Sequence, residues 1–406
     1  MLRTWNIAII AVSILFFQSM PQLSYSQVGD LEKAATLQQQ AINLYKQGHY
    51  LEAIPITKEA LSINEKVLGP KHLNVAYNLH HLAVLYLSLK KDGMAKPLFQ
   101  RSLAIFERWL GPKDPMVANN LDYLARIYYY YGDYAKAESL YKRSLSIREK
   151  AFGPEDLYVA KSLNGLGVLY NAMGDYNKAK TLLKRSLDIG EKKLGPEHPT
   201  VATNINNLAF LYYSLGDYAN AKPLFQRALA IYEKTLGPEH PKVELALNNL
   251  AALYTALGDY AKAEQLYKRS LPITEKIFGP ENPNVGLTLN LLAKIYFNLG
   301  NYAKAEPFYQ RSLAIYEKKM GPQHPEVALT LNDLAVLYYK SGDCAKAEAL
   351  YKRSLAIMEK ALGSEHPKVA IVLRNMAACF KKTGKEKESE KLEQRAKIIE
   401  KNNRLR

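Results

Sequence analysis

The chain has 406 residues, of which 48% are hydrophobic and 23% are charged, and this composition excludes an intrinsically disordered chain. Two cysteines exclude a disulfide-rich scaffold and any zinc or iron–sulfur site that needs several cysteines. The formal net charge of +16 bears on solubility and on acidic partners rather than on the fold.

The first 26 residues differ from the rest of the chain. Arg3 precedes a largely apolar stretch, residues 5–17, and the small-residue pattern Ser-Tyr-Ser follows at residues 24–26. This order is typical of a secretory signal peptide. The apolar stretch would rise only ~20 Å as a helix, too short for a permanent span of a ~30 Å hydrocarbon core. We expect cleavage before Gln27 and export to the periplasm or the exterior, with an uncleaved anchor as the alternative.

After a short linker at residues 27–30, the chain repeats itself every 42 residues. Gly-Pro recurs at this interval from Gly69 to Gly321, and Gly363 continues the series without its proline. A period of this size predicts a stacked array in which each unit buries its apolar face against its neighbours. The array covers residues 31–401 and leaves a tail at residues 402–406. Its nine units begin near residues 31, 73, 115, 157, 199, 241, 283, 325 and 367.

Each unit contains two helical patterns. In residues 199–236, Pro199 suits the first position of a helix and His198 suits its N-cap. Apolar residues then recur at helical spacing until Gly216 breaks the pattern. A second apolar stripe ends at Gly237, which can adopt the left-handed conformation that terminates a helix. Each unit is therefore predicted to be a helical hairpin, and the fold class to be all-α.

The motif Leu-x-x-x-Ala-x-x-Tyr, followed by Gly-x-Tyr-x-x-Ala-x-x-x-Tyr/Phe, resembles the tetratricopeptide repeat. It occurs at Leu121, Ala125, Tyr128, Gly132, Tyr134, Ala137 and Tyr141, and again at Ile205, Ala209, Tyr212, Gly216, Tyr218, Ala221 and Phe225. The unit is longer than the usual repeat of about 34 residues. With Asn-Asn-Leu-Ala at residues 206–209 and 248–251, it resembles the kinesin light chain subclass. The resemblance implies a right-handed α-solenoid of stacked antiparallel helical hairpins, whose first helices line a concave groove.

Two units depart from the pattern. The second has Lys90 and Asp92 at its turn, where other units have Gly and Tyr. The ninth has Glu393 in place of an aromatic residue, and residues 381–397 are strongly charged. A polar terminal unit is what the end of a solenoid requires, because one of its faces has no neighbour.

One polar column lies on the first helices, at Asn164, Asn206, Asn248, Asn290 and Asn332, with Asp122 and His80 in the earlier units. Asparagine costs ~0.6 kcal/mol in a helix relative to alanine, so its recurrence indicates a hydrogen-bonding task. One interpretation is that each amide bridges to the adjacent hairpin. The other, which the family resemblance implies, is a ladder that binds the backbone of an extended peptide.

The same helix face continues four and seven residues further on, and there the units differ. The candidate binding residues at these positions are Arg126, Tyr129, Phe210, Tyr213, Lys294, Phe297 and Tyr339. Columns that vary while their neighbours stay fixed are not demanded by packing. They favour sequence-selective capture of a peptide or of a partner's helix, with neutral drift of a solvated face as the alternative.

Charged residues form regular columns on the second helices. An arginine column runs from Arg101 to Arg353, and a glutamate follows each arginine six residues later. These columns predict solvated ion pairs between units, whereas a nucleic-acid surface would need unpaired cations with stacking aromatics. We therefore expect no nucleic-acid binding, and an acidic protein or an anionic cell envelope as the partner instead.

Five histidines precede the first helices at a position that other units fill with Asp114, Asp156 or Asn282; they are His72, His198, His240, His324 and His366. Exchange with Asp and Asn at a helix start is capping chemistry, so we expect no metal site and no cofactor.

The sequence contains no P-loop, no glycine-rich nucleotide turn and no Gly-x-Ser-x-Gly motif. We therefore expect a non-enzymatic scaffold that binds a peptide or a partner protein in the concave groove. The alternative is an assembly module that acts through self-association of the solenoid, and the oligomeric state stays open. Kinesin-like cargo transport is not carried over, because an export signal would separate this chain from cytoplasmic motors.

The two cysteines lie at corresponding edges of adjacent units. Cys344 starts the second helix of hairpin eight, and Cys379 lies near the end of the first helix of hairpin nine. Because successive first helices run parallel in this architecture, the pair could form a disulfide that pins the C-terminal hairpin. The alternative is two free thiols, with Cys379 buried like Ile127, Leu211 and Ile295 in its column.

Overall fold

The structure is a computed structural model that describes residues 24–404. Between these residues the chain forms eighteen α-helices and no strand. The helices are α1 (Tyr25–Gln47), α2 (Tyr50–Leu68), α3 (Leu73–Ser88), α4 (Asp92–Leu110), α5 (Pro115–Tyr130), α6 (Tyr134–Phe152), α7 (Leu157–Ala172), α8 (Tyr176–Leu194), α9 (Pro199–Ser214), α10 (Tyr218–Leu236), α11 (Pro241–Ala256), α12 (Tyr260–Phe278), α13 (Pro283–Asn298), α14 (Tyr302–Met320), α15 (Pro325–Ser341), α16 (Cys344–Leu362), α17 (Pro367–Lys382) and α18 (Glu386–Arg404).

The helices pack as consecutive pairs in two compact units, which divide between Ile189 and Gly190, inside α8. The first unit contains four hairpins, from α1–α2 to the greater part of α7–α8. The second unit contains the five hairpins from α9–α10 to α17–α18. Within the second unit, each second helix also packs against the first helix of the next hairpin. The prediction of an all-α array of stacked helical hairpins is confirmed.

The first helices begin where the capping residues predict. His198 Nδ1 accepts a hydrogen bond from the Thr200 backbone N–H at 3.1 Å, and an Asp114 carboxylate oxygen accepts one from Met116 at 2.7 Å. The same bond forms at His72, His240, His324, His366, Asp156 and Asn282. The capping role predicted for these side chains is therefore confirmed.

The hairpin turns depend on the left-handed backbone conformation. Glycine adopts it at little steric cost, as at Gly216 with φ of 72°. In the second hairpin Lys90 occupies the corresponding position with φ of 56°, and within residues 24–404 it is the one non-glycine residue with positive φ. The departure noted at this turn is therefore a change of residue, whereas the backbone conformation of the other turns is retained.

The outer limits of the array differ from those expected. Helix α1 begins at Tyr25, where Ser24 and Gln27 form a capping box, so residues 27–30 are helical rather than a linker. Helix α18 likewise continues to Arg404, beyond the expected end at residue 401. The predicted signal peptide lies outside the described residues, except for residues 24–26.

Small residues bring the two helices of each hairpin together. The alanine column of the second helices is fully buried, from Ala95 to Ala347. A buried serine column, which was not among the sequence predictions, connects the helices further; it comprises Ser102, Ser144, Ser186, Ser270, Ser312 and Ser354. Five of these hydroxyls donate to a first-helix carbonyl, as Ser354 does to Ala328 at 2.7 Å, and Ser270 donates to the side chain of Asn248. These contacts fix which face of the first helix is left for solvent.

Candidate functional site

The asparagine column lies largely in the contact between adjacent first helices. Asn206, Asn290 and Asn332 are buried. Asn249 donates its amide N–H to Asn206 Oδ1 at 3.0 Å, and Asn290 donates to Thr330 Oγ1 at 3.4 Å. At these positions the amides bridge to the next hairpin, which is the first of the two interpretations left open by the sequence.

A second bridge of the same kind connects hairpins eight and nine. The Asn375 amide donates to Asn332 Oδ1 at 3.0 Å, which repeats the geometry of the Asn249–Asn206 bond three hairpins later. The geometry recurs because donor and acceptor are 43 residues apart in both cases, one repeat plus one residue. The bridge therefore requires a second asparagine 43 residues later, and after Asn248 and Asn290 that position holds Leu291 and Asp333.

Asn248 and Asn164 are half-buried and belong to the same column. Asn248 donates to Glu244 on its own helix at 2.7 Å and accepts from Ser270 of its own hairpin at 2.6 Å. Its amide is thus engaged within one hairpin rather than between two. Of the five asparagines, Asn164 and Asn248 retain the most surface for a ligand.

In the second and third hairpins other polar groups take the place of asparagine. The Asp122 carboxylate pairs with the Arg148 guanidinium at 2.6 Å, and both side chains are almost completely buried. A buried pair is costly to break, because loss of either partner leaves an uncompensated charge. His80 Nδ1 lies 3.2 Å from Asn120 Oδ1, and burial lowers the pKa of His80 to about 3, so its imidazole is neutral.

The variable positions are more accessible than the asparagine column. Arg126 and Lys294 are exposed, and Phe210 is 43% exposed. Tyr129, Tyr213, Phe297 and Tyr339 are half-buried. Three of these rings rest on the tyrosine that begins the next helix, with centroid distances of 6.0 Å for Tyr129–Tyr134, 5.6 Å for Tyr213–Tyr218 and 5.4 Å for Phe297–Tyr302. Each ring therefore packs against the following helix and stays partly exposed.

An exposed aliphatic column, which was not among the predicted binding residues, runs along the first helices of the second unit. The aliphatic column consists of Leu245, Leu287, Leu329 and Ile371, one residue from each of four consecutive hairpins. Leu245, Leu287 and Ile371 are 49%, 51% and 55% exposed, and Leu329 is half-buried. The signal was present in the sequence, because earlier hairpins have Tyr77, Asn119, Lys161 and Thr203 at this position. A position that accepts Lys and Thr is not a core position.

The aliphatic column shares a helix face with the predicted binding residues. Lys294 follows Leu287 by seven residues, so the two side chains lie two turns apart on one face of α13. Along the Lys294 column of the second unit, large and small side chains alternate in the order Phe210, Ala252, Lys294 and Val336.

Cations accompany the face in the C-terminal hairpins. Lys294 pairs with Asp333 at 3.0 Å. The ammonium groups of Lys340 and Lys382 lie 5.9 and 5.2 Å from the centre of the Tyr339 ring. Neither of these two lysines forms a salt bridge within residues 24–404. The face therefore combines aliphatic, aromatic and cationic groups.

The arginine and glutamate columns pair between second helices, as predicted. Arg143 reaches Glu107 at 2.6 Å, and Arg311 reaches Glu275 at 2.5 Å. The other pairs with this spacing are Arg101–Glu65, Arg185–Glu149, Arg227–Glu191, Arg269–Glu233, Arg353–Glu317 and Arg395–Glu359. These arginines are neutralised by carboxylates, so they do not form a free cationic surface for a polyanion.

Cys344 and Cys379 are neighbours, and both are free thiols in the structure. Cys379 Sγ lies 3.5 Å from the backbone carbonyl oxygen of Cys344. The predicted proximity is thus present, and the disulfide stays a prediction. Elsewhere between residues 24 and 404, no cluster of three His, Cys, Asp or Glu side chains is arranged to hold a metal ion. No helix in the same range has the length and apolar character needed to cross a membrane.

The stacked hairpins, their glycine turns and their alternating alanine and tyrosine columns define an all-α repeat protein. The chain belongs to the tetratricopeptide repeat family, whose model matches residues 32–108, 93–150, 118–192, 158–234, 200–276, 242–318, 284–360 and 326–397. Proteins of this family are generally interaction scaffolds without enzymatic activity. No curated protein matches the chain.

Solved structures of other repeat proteins are similar to this chain. A putative kinesin light chain from Podosopora anserina with nearly identical repeats is 28% identical; the match covers 51% of this chain and 99% of that one, with a TM-score of 0.47. The signal transduction ATPase PH0952 from Pyrococcus horikoshii, with a tetratricopeptide repeat sensor, is 18% identical over 91% of this chain and 53% of that one, with a TM-score of 0.65. A Rap protein complexed with Competence and Sporulation Factor is 16% identical over 91% of this chain and 98% of that one, with a TM-score of 0.55.

Proposed function

We propose that this protein is a non-enzymatic scaffold that binds a peptide or a partner protein on the open face of its first helices. The observation that carries the proposal is the aliphatic column, in which Leu245, Leu287 and Ile371 are about half exposed although their helical neighbours are buried. Half-exposed aliphatic side chains aligned over four hairpins leave apolar area that a partner would remove from water.

The predicted binding residues supply specificity within this proposal. Phe210, Tyr213 and Phe297 offer flat apolar surfaces, and Lys294 with Asp333 offers a polar contact. The unpaired cations Lys340 and Lys382 favour a partner with acidic residues at the C-terminal end of the face. The N-terminal segment favours export, so such a partner would lie in the periplasm or outside the cell.

The experiment is affinity capture with paired variants of the full-length protein. Leu245→Thr with Leu287→Thr removes half of the aliphatic column by a residue type that hairpin five already has there, Thr203. The control is Leu257→Thr with Leu299→Thr, two leucines that are each 46% exposed at the ends of first helices, where hairpin nine has Thr383. Because each buried leucine contributes roughly 1.5–3 kcal/mol, partner recovery should fall at least tenfold in the first variant and stay unchanged in the control.

Two results would contradict the proposal. Equal recovery from both variants would show that the aliphatic column does not bind the partner. Light scattering that finds only oligomers, with no heterologous protein enriched by the native chain, would support the alternative of an assembly module. Circular dichroism of both variants confirms that they are folded before capture.

A further inference from the structure

Cys344 and Cys379 replace a contact pair that other hairpins build from an aromatic and an aliphatic residue. The first residue of the second helix and the residue 35 positions later are Tyr50 and Leu85 in one place and Tyr302 and Leu337 in another. Each of these pairs shares an apolar cluster, as Cys344 and Cys379 do. The only two cysteines of the chain therefore occupy both members of one contact.

The two thiols differ in accessibility. Cys379 is fully buried, and Cys344 is partly exposed at the first turn of α16. The Cys379 sulfur lies 3.5 Å from the Cys344 carbonyl oxygen. Only a small movement is therefore needed to bring the two sulfurs within bonding distance. An oxidant would therefore react with Cys344 first, and the buried Cys379 would react with Cys344 afterwards.

The position of the pair decides what a bond would do. It would join the first turn of α16 to the last turn of α17, the first helix of the final hairpin. Within the described residues that hairpin packs against a neighbour on one side, and its outer helix α18 is mostly charged and exposed. An element with so little buried surface opens at a lower free energy than the well-packed hairpins before it.

We propose that Cys344 and Cys379 form a reversible disulfide that locks the final hairpin, α17–α18, onto α16 under oxidising conditions. The oxidant is a low-molecular-weight disulfide. The Cys344 thiolate attacks one of its sulfurs, breaks the sulfur–sulfur bond and releases the first small thiol. Cys379 then loses its proton and attacks the Cys344 sulfur of the mixed disulfide, which releases the second small thiol. Two electrons pass from the protein to the oxidant.

Burial makes the second step slow. Desolvation, with the hydrogen bond to Cys344 as a smaller cause, raises the pKa of the Cys379 thiol well above its ordinary value. Little Cys379 thiolate is present at neutral pH, so closure of the disulfide should become faster as the pH rises towards 9.

The test uses the full-length protein, reduced and then exposed to oxidised glutathione at pH 8. Thiol titration in denaturant should fall from two thiols per chain to none, and peptide mapping should recover the cross-linked pair of peptides. Hydrogen exchange of α17 should become about tenfold slower or more after oxidation, because a cross-link restricts the open state. Reduction should reverse both changes.

The control variant is Cys344→Tyr with Cys379→Leu, which restores the pair found at Tyr302 and Leu337. It should fold and show no response to the oxidant. Two free thiols after oxidation, or glutathione adducts without a cross-link, would overturn the proposed bond. A cross-link that forms without slowing exchange in α17 would overturn the proposed lock.

Discussion

The asparagines of one column form different hydrogen bonds in different hairpins. Asn206 and Asn332 both accept a hydrogen bond from the asparagine 43 residues later, whereas Asn248 bonds within its own hairpin. The sequence predicted a hydrogen-bonding column but not its partners. The partner depends on whether the adjacent first helix carries an amide side chain within hydrogen-bonding distance, and the position of an asparagine in its column does not determine this.

The bridge predicts that Asn332→Ala destabilises the protein. Asn375 would keep a partly buried amide without its acceptor, and an unsatisfied buried group costs about 1–3 kcal/mol. Urea unfolding followed by circular dichroism measures the loss. The double variant Asn332→Ala with Asn375→Ala should lose less than the sum of the two single variants. Strict additivity would show that the two amides do not interact.

The helix caps depend on the protonation state of histidine. His240 Nδ1 accepts from the Lys242 backbone N–H at 3.1 Å, which requires a neutral ring. Burial, with the nearby Lys242 charge as a smaller cause, lowers the pKa of His240 in the folded protein. The unfolded chain therefore binds more protons in acid. The stabilising effect is complete above pH ~6.5 and is lost as the pH falls below that value.

Replacing this cap by aspartate should remove part of the acid sensitivity. His240→Asp introduces the cap already present at Asp114 and Asp156, and a carboxylate stays ionised through pH 5. Caps contribute ~1 kcal/mol, so the native protein should lose more stability than the variant between pH 7 and pH 5. Thermal unfolding across this range checks it. Asn282→Asp, a cap change without histidine, should leave the pH slope of stability unaltered. An equal change of slope in this variant would show that the histidine cap does not cause the acid sensitivity.

Helix types and turns were predictable because the signals are local. Caps, glycine turns and apolar periodicity all lie within a few residues of the boundary they determine. The ends of the array were less predictable. Helix α1 begins at Tyr25 because Ser24 and Gln27 cap it. This local signal overlaps the small-residue pattern that was interpreted as a cleavage site. The aliphatic column escaped notice because leucine on a helix suggests core, and only comparison between hairpins shows that it is exposed.

At the scale of the whole chain, the 42-residue period makes every weak contact recur. The arginine–glutamate pairs have the same spacing in both units, and their side chains are roughly one third to one half exposed. One exposed pair contributes only 0–1 kcal/mol. Because the pair recurs along the second helices, the ion pairs together contribute to the free energy of unfolding, and this contribution should depend on ionic strength. Exposed charges are screened within ~10 Å at 0.1 M salt.

Charge reversal at one pair separates this contribution from packing. Arg311→Glu and Glu275→Arg should each destabilise the protein by roughly 0.5–1 kcal/mol, because each places like charges at a contact of 2.5 Å. The double variant, Arg311→Glu with Glu275→Arg, should recover most of that loss, since the pair is restored with reversed polarity. Urea unfolding at low ionic strength measures all four proteins, and in 1 M sodium chloride their differences should shrink markedly. If the double variant is as unstable as the sum of the single ones at low salt, the arginine acts through its aliphatic stem against the preceding hairpin, and the ion pairs do not stabilise the stack.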